Sequence, residues 1–136
     1  MGARSKARKR ALDILFESEL RGLEPGATLD ERRAAADPPL NPYTVTLVEG
    51  VRDHLGDLDA AIAAYSTGWS LERMPAVDRT ILRIGVFELR YVDEVPAAVA
   101  LDEAVSMARE LSTDDSPGFV NGVLASIAGH TPAEPQ

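Results

Sequence analysis

Cysteine is missing from the chain altogether. Its absence excludes disulfides, thiolate-held metals and thiol nucleophiles, and it fits a reducing cytoplasm. Histidine is nearly missing too: only His54 and His130 occur, and neither has a partner at a spacing that acid–base or metal chemistry would use. Glycine loops that cradle phosphate and GxGxxG fingerprints do not occur. No apolar run approaches the ~18 residues of a membrane span. Residues 1–20 are basic and then apolar, as in an export signal, but Asp13, Glu17 and Glu19 interrupt the apolar part. What remains offers no catalytic residue, no cofactor site and no metal site, and it directs attention to binding.

Charge is plentiful and unevenly spread. The chain has 14 basic and 22 acidic residues, net −8. Five of the basic residues, Arg4, Lys6, Arg8, Lys9 and Arg10, fall within the first ten, where there is no acid. The other nine face all 22 acids, so the remainder carries −13. An acidic body repels nucleic acid, so anion binding is expected to be confined to an arm at 1–10. Cations at a helix N-terminus oppose the macrodipole and do not serve helix stability. Free amides beside cations do suit phosphate. The other reading is a solvated basic tail.

At 136 residues the chain is expected to be one domain, 1–136. Apolar residues recur at helical spacing throughout, and no strand pattern competes. Helices are expected at 5–21, at 28–36 behind a Thr28–Glu31 capping box, from Asn41-Pro42 to about 55, and from an Asp57 cap to about 66. A turn capped by Ser70 leads to a central helix at 75–92. Helices at 98–111 and from Pro117 onward follow, and 129–136 reads as a loose tail. The result is an all-α bundle of about seven helices. Thr113 to Ser116 reads as helix caps rather than a cation loop. Gly122, in mid-helix, costs about 1 kcal/mol against Ala and is tolerable if it allows another helix to approach closely. Leu111 is expected on the apolar face of its helix.

The central helix organises the rest. Val77, Ile81, Leu82, Ile84, Val86, Phe87 and Leu89 cover most of its circumference and leave a stripe of Arg79, Arg83 and Arg90. Glu88 falls opposite that stripe, among apolar neighbours. A carboxylate there needs a partner, so it is either a satisfied structural acid or an acid at a partner-binding rim. Phe119, near the start of the last helix, and Phe16, at the edge of the first, are either core rings or exposed ones. Unpaired RNA is held by cations along its backbone and by rings under its bases, which makes the arm and Phe119 a candidate pair.

Three segments together carry a resemblance: SKARKRALDILFESE, AVDRTILRIGVFEL and VPAAVALDEAVSMARELSTDDSPGFVNGVL. In order and spacing they resemble the NusB transcription antitermination factors. The resemblance implies two small helical subdomains packed across each other. It implies binding of single-stranded boxA RNA from ribosomal RNA leader transcripts, the ribosomal protein NusE as partner, and membership of an RNA polymerase antitermination complex. Arg4, Lys6, Arg8, Lys9 and Arg10 would then contact RNA, Phe119 would stack on a base with Asp115 close by, and Phe16, Asp78 and Arg83 would meet NusE. Some members of that family form homodimers that cover the RNA surface. The rival reading is a protein-interaction module without sequence-specific RNA binding. A similar helical domain fronts ribosomal RNA cytosine methyltransferases, but these residues include neither a methyl-donor domain nor a cysteine nucleophile. Two expectations follow from five free arm cations. Neutralising about four phosphates should weaken RNA binding roughly fiftyfold between 50 and 200 mM salt. Reversing Arg8 and Arg10 should remove RNA binding without loss of stability.

Overall fold

The computed structural model describes residues 2–129; the tail, beyond Gly129, and His130 lie outside the described residues. Seven α-helices occur among them: α1 (Ala3–Leu20), α2 (Leu29–Ala35), α3 (Pro42–Asp53), α4 (Leu55–Tyr65), α5 (Ala76–Tyr91), α6 (Ala97–Leu111) and α7 (Ser116–Gly129). A 3₁₀ turn at Leu71–Arg73 precedes α5. No strand is present among the described residues. Helices α1 and α3 pack together as one group and α4, α6 and α7 as the other. Helix α5 lies between them, touching α1 and α3 on one side and α4, α6 and α7 on the other. One continuous apolar cluster joins the two, with Ile14, Leu47, Val48, Ile81, Ile84, Leu124 and Ile127 fully buried in it.

Local chemistry explains most helix ends. Helix α1 closes with the Gly22 and Leu23 amides donating to the Glu19 and Ser18 carbonyls, a paired closure that satisfies orphan acceptors. The Asn41 side chain accepts from the Tyr43 amide at 2.8 Å, with Pro42 as the first residue of α3. The expected capping box does not form. Thr28 is buried, and its hydroxyl donates instead to the Ile14 carbonyl while its amide donates to Ser18 Oγ, so it fastens the connector onto α1. Asp57 and Ser70 do not cap by side chain either, because α4 already begins at Leu55, one residue after a break at His54, and the Ser70 side chain makes no cap bond.

Two packing expectations are corrected. A Cβ at Gly122 would meet nothing within 4 Å, so no helix approaches there. The close approaches are at Gly50, where a Cβ would lie 2.2 Å from the Phe87 ring, and at Gly85, where it would lie 2.7 Å from Leu124. These two glycines let α3 and α7 seat directly on α5. Leu111 is 44% exposed, because it is the last residue of α6 and extends past the helices that cover Ala104 and Ala108.

Candidate nucleic-acid interface

The five cations of the arm lie on the first two turns of α1, so helical phase sorts them. Arg8 points inward and is 3% exposed. Its Nε donates to both oxygens of Glu88, at 2.8 and 3.0 Å, and its Nη1 donates to Glu103 at 3.0 Å. The Tyr43 hydroxyl also donates to Glu88. Glu88 is therefore the satisfied structural acid, held by α1 and α3 from across the core. Arg8 is correspondingly not a free RNA cation: its guanidinium is committed to two carboxylates. Burial, and next the hydrogen bond to Glu88, push the Tyr43 phenol well above its ordinary range. Arg4, one turn before Arg8, lays its guanidinium 4.3 Å over the Tyr43 ring.

The opposite face of α1 is open. Lys6 and Arg10 are exposed and make no ion pair among the described residues. They stand one turn apart on the wall of an open groove of about 600 Å³, whose far side is Pro38, Pro39 and Leu40. Lys9 occupies an intermediate phase. It pairs with Glu110 at 2.6 Å, and this contact joins the basic turns of α1 to the last turn of α6.

Beyond that turn, Asp78 governs the path of the chain. It has no exposed surface. Both oxygens receive the Ser116 hydroxyl at 2.8 to 2.9 Å, and Ser112 donates to it as well. The Thr113 amide donates to Ser116 Oγ at 3.2 Å. Asp78, expected to meet a partner, is thus enclosed beneath the α6–α7 turn in this chain. What it does is place Asp115, which is exposed, and Phe119, which is half-buried one turn later. The Phe119 ring meets Trp69 edge to face, with centroids 5.0 Å apart and planes at 75°.

A third region surrounds Phe16, which is half-buried on α1. One turn on, Leu20 is 69% exposed. Glu19 between them ties α1 to α5 through Arg79 and Arg83. Arg83 is itself held in a two-bond pair with Asp59, at 2.8 and 2.9 Å, which leaves its side chain 13% exposed. Among the described residues no cluster of three or more His, Cys, Asp or Glu could hold a metal, and no helix is long and apolar enough to cross a membrane.

This arrangement, seven helices about α5 with a basic α1 start and an acid-capped α6–α7 turn, can be set beside known proteins. The sequence pattern of the NusB family matches residues 5–129. The chain belongs to the NusB family. The transcription antitermination protein NusB of Nocardioides sp. is 55% identical over 133 residues, covering 98% of each chain. That of Saccharopolyspora erythraea is 56% identical over 131 residues, 95% of this chain and 88% of the relative. Among solved structures, the NusB of T. maritima shares the fold with a TM-score of 0.84 at 30% identity, covering 94% of this chain and 92% of that one. A structure of the antitermination factors NusB and NusE in complex with double-stranded RNA gives 0.80 at 27% identity, covering 93% and 96%.

Within this NusB fold the expected RNA residues differ in how free they are: Asp115 is exposed and Phe119 half-buried. Arg4, Lys6 and Arg10 are available, Lys9 is paired at the surface, and Arg8 is withdrawn. Residue patterns alone missed Tyr43, Trp69 and Leu20. Tyr43 had one signal: Asn41-Pro42 fixes it in the first turn of α3, where a ring can receive Arg4. Trp69 had only its solitude.

Proposed function

We propose that this NusB-family chain is a transcription antitermination adaptor that binds unpaired boxA RNA of ribosomal RNA leader transcripts jointly with NusE, within an RNA polymerase antitermination complex in the cytoplasm, and performs no chemistry itself. The observation that carries the proposal is the open pair Lys6 and Arg10 beside a groove, on an acidic protein whose arm residues Arg8 and Lys9 are already paired to carboxylates. Phosphates of the strand settle against Lys6, Arg10 and the outer edge of Arg4. One base lies on the open side of Phe119. Asp115, an acceptor only, takes hydrogen bonds from base N–H groups and turns phosphates away. Phe16 and the exposed Leu20 supply an apolar strip for NusE, with Arg83 set behind them as a positioning residue paired to Asp59.

The test is a gel shift with a leader-derived boxA oligoribonucleotide, with and without NusE, against a scrambled strand of equal length. Sequence-selective retention that NusE strengthens is expected. Phe119→Ala should weaken binding by about 1–3 kcal/mol, the range for a lost base–ring stack. Equal retention of the scrambled strand would favour a charge-driven interaction module instead.

A further inference from the structure

We infer that Trp69 is a second base-stacking ring, forming with Phe119 a two-sided corner that holds an unpaired nucleobase. This deepens the RNA reading above and rests on it. Trp69 is the only tryptophan in the chain, and it is 38% exposed. Its exposure is built rather than accidental. Ser66 Oγ donates to the Trp69 carbonyl at 3.0 Å, the Ser66 amide is held by the Ile62 carbonyl, and Gly68 takes a φ of +85° that closes the turn. The indole is therefore presented at a fixed place beside Phe119.

The corner's geometry suits a flat heterocycle. With the two planes at 75°, a base lying on one ring brings its edge against the other. The charge around it separates bases from phosphates. Asp114 and Asp115 are exposed at the start of α7, so a phosphate is repelled while base amino groups find acceptors. The chain path links the corner to the basic start of α1. Lys9 pairs with Glu110 on the last turn of α6, and the chain then passes through the Asp78-held turn to Phe119. A strand anchored by phosphate on α1 thus has bases to place at the far end. An apolar peptide is the other kind of occupant for exposed rings, but the two flanking carboxylates, which accept from base amino groups, favour a nucleobase.

Because Trp69 is the sole tryptophan of the chain, the emission that the Trp69→Phe chain lacks under the same conditions reports on this corner. The leader-derived boxA oligoribonucleotide, fluorescently labelled, is titrated into the full chain with NusE, and RNA anisotropy and Trp69 emission are followed together. Emission should be quenched over the same concentrations as the anisotropy rise, and the same strand annealed to its complement should leave it unquenched. Trp69→Phe should bind within a few-fold of the parent, whereas Trp69→Leu, which keeps apolar bulk but has no π face, should weaken binding about five- to a hundredfold. Circular dichroism melts establish that both variants are folded. Normal RNA binding with unchanged emission, or equal affinities for Trp69→Phe and Trp69→Leu, overturns the second ring and leaves the RNA reading intact. No binding of the strand by the parent chain removes both.

Discussion

Arg8 and Arg10 are two residues apart on α1, carry the same side chain, and do opposite things. Arg8 is enclosed by Glu88, Glu103 and the Tyr43 ring. Arg10 lines an open groove with no carboxylate bound to it. About 200° of helical phase separates them, since each residue advances about 100°. The buried cation has already given up its water and exchanged it for fixed acceptors, so a phosphate would have to displace two carboxylates to reach it. The exposed one keeps its water and releases counterions when a phosphate arrives. A run of like charges is thus two populations, and only the outward population sets the ionic response. With Arg4, Lys6 and Arg10 as the free cations, about three phosphates are neutralised. Raising salt from 50 to 200 mM should then weaken RNA binding about twentyfold, not the fiftyfold that five free cations imply.

The comparison is broken most severely by removing the inward cation. Arg8→Ala leaves Glu88, 1% exposed, without its main counter-charge. A loss of about 3–5 kcal/mol of stability is expected, against less than about 0.5 kcal/mol for Arg10→Ala. Urea unfolding of the two variants measures this directly. The earlier expectation that Arg8 and Arg10 can be reversed together without cost to the fold is withdrawn for Arg8. Similar midpoints for both single variants would mean that helical phase does not sort these residues.

The outward face is tested by charge reversal. Lys6→Glu combined with Arg10→Glu should keep the parent melting profile and weaken boxA RNA binding by more than about tenfold at 50 mM salt. The salt slope should shrink in magnitude from about 2 to about 0.7, because about 0.7 is lost per phosphate contact. Fluorescence anisotropy at four salt concentrations gives both numbers. A weaker complex with an unaltered slope would place the phosphates elsewhere.

Much of this was legible in the sequence, and the gaps have physical causes. Helices α5 and α6 are strongly periodic, so their existence and inward faces could be read directly. The oddity of Glu88 was readable as well, since a carboxylate opposite a polar stripe needs a partner. Its partner was not, because Arg8 lies 80 residues away and pairing them requires knowing how α1 crosses α5. The enclosure of Asp78 was out of reach for the same reason: its partners Ser112 and Ser116 lie 34 and 38 residues further along the chain. Phe119 stood out by its place after an acidic turn. Trp69 and Tyr43 stood in connectors and helix starts, where periodicity carries no information.

Tyr43 sharpens the contrast from the buried side. Tyr43→Phe removes one hydrogen bond to a charged acceptor but leaves the ring under Arg4. Because the ring is only half-buried, about 1 kcal/mol is a suitable expectation. The pH dependence is more telling. Burial and the Glu88 bond raise the phenol above its ordinary value of about 10, so the folded state holds the proton more tightly than the unfolded chain. The corresponding stability is complete below pH ~10 and declines as pH rises beyond it. Tyr43→Phe should show a shallower decline than the parent in urea melts between pH 9 and 11. Parallel curves would mean that the hydroxyl is not engaged with Glu88.

The smallest effect concerns packing, and it has the opposite sign. Gly122 lies on α7 with open space around the position of a Cβ, while Gly50 and Gly85 are the contacts that seat helices on α5. An exposed mid-helix glycine costs backbone entropy without return, so Gly122→Ala should stabilise the chain by about 0.5–1 kcal/mol. On a domain of this size that is a rise of a few degrees in Tm. Gly122 stands one turn after Phe119 in α7. A methyl group there adds no charge and reaches no neighbour, so RNA affinity should stay unchanged. Higher stability with weakened RNA binding would mean that the strand runs along α7 past Phe119, against a surface that only a glycine leaves clear.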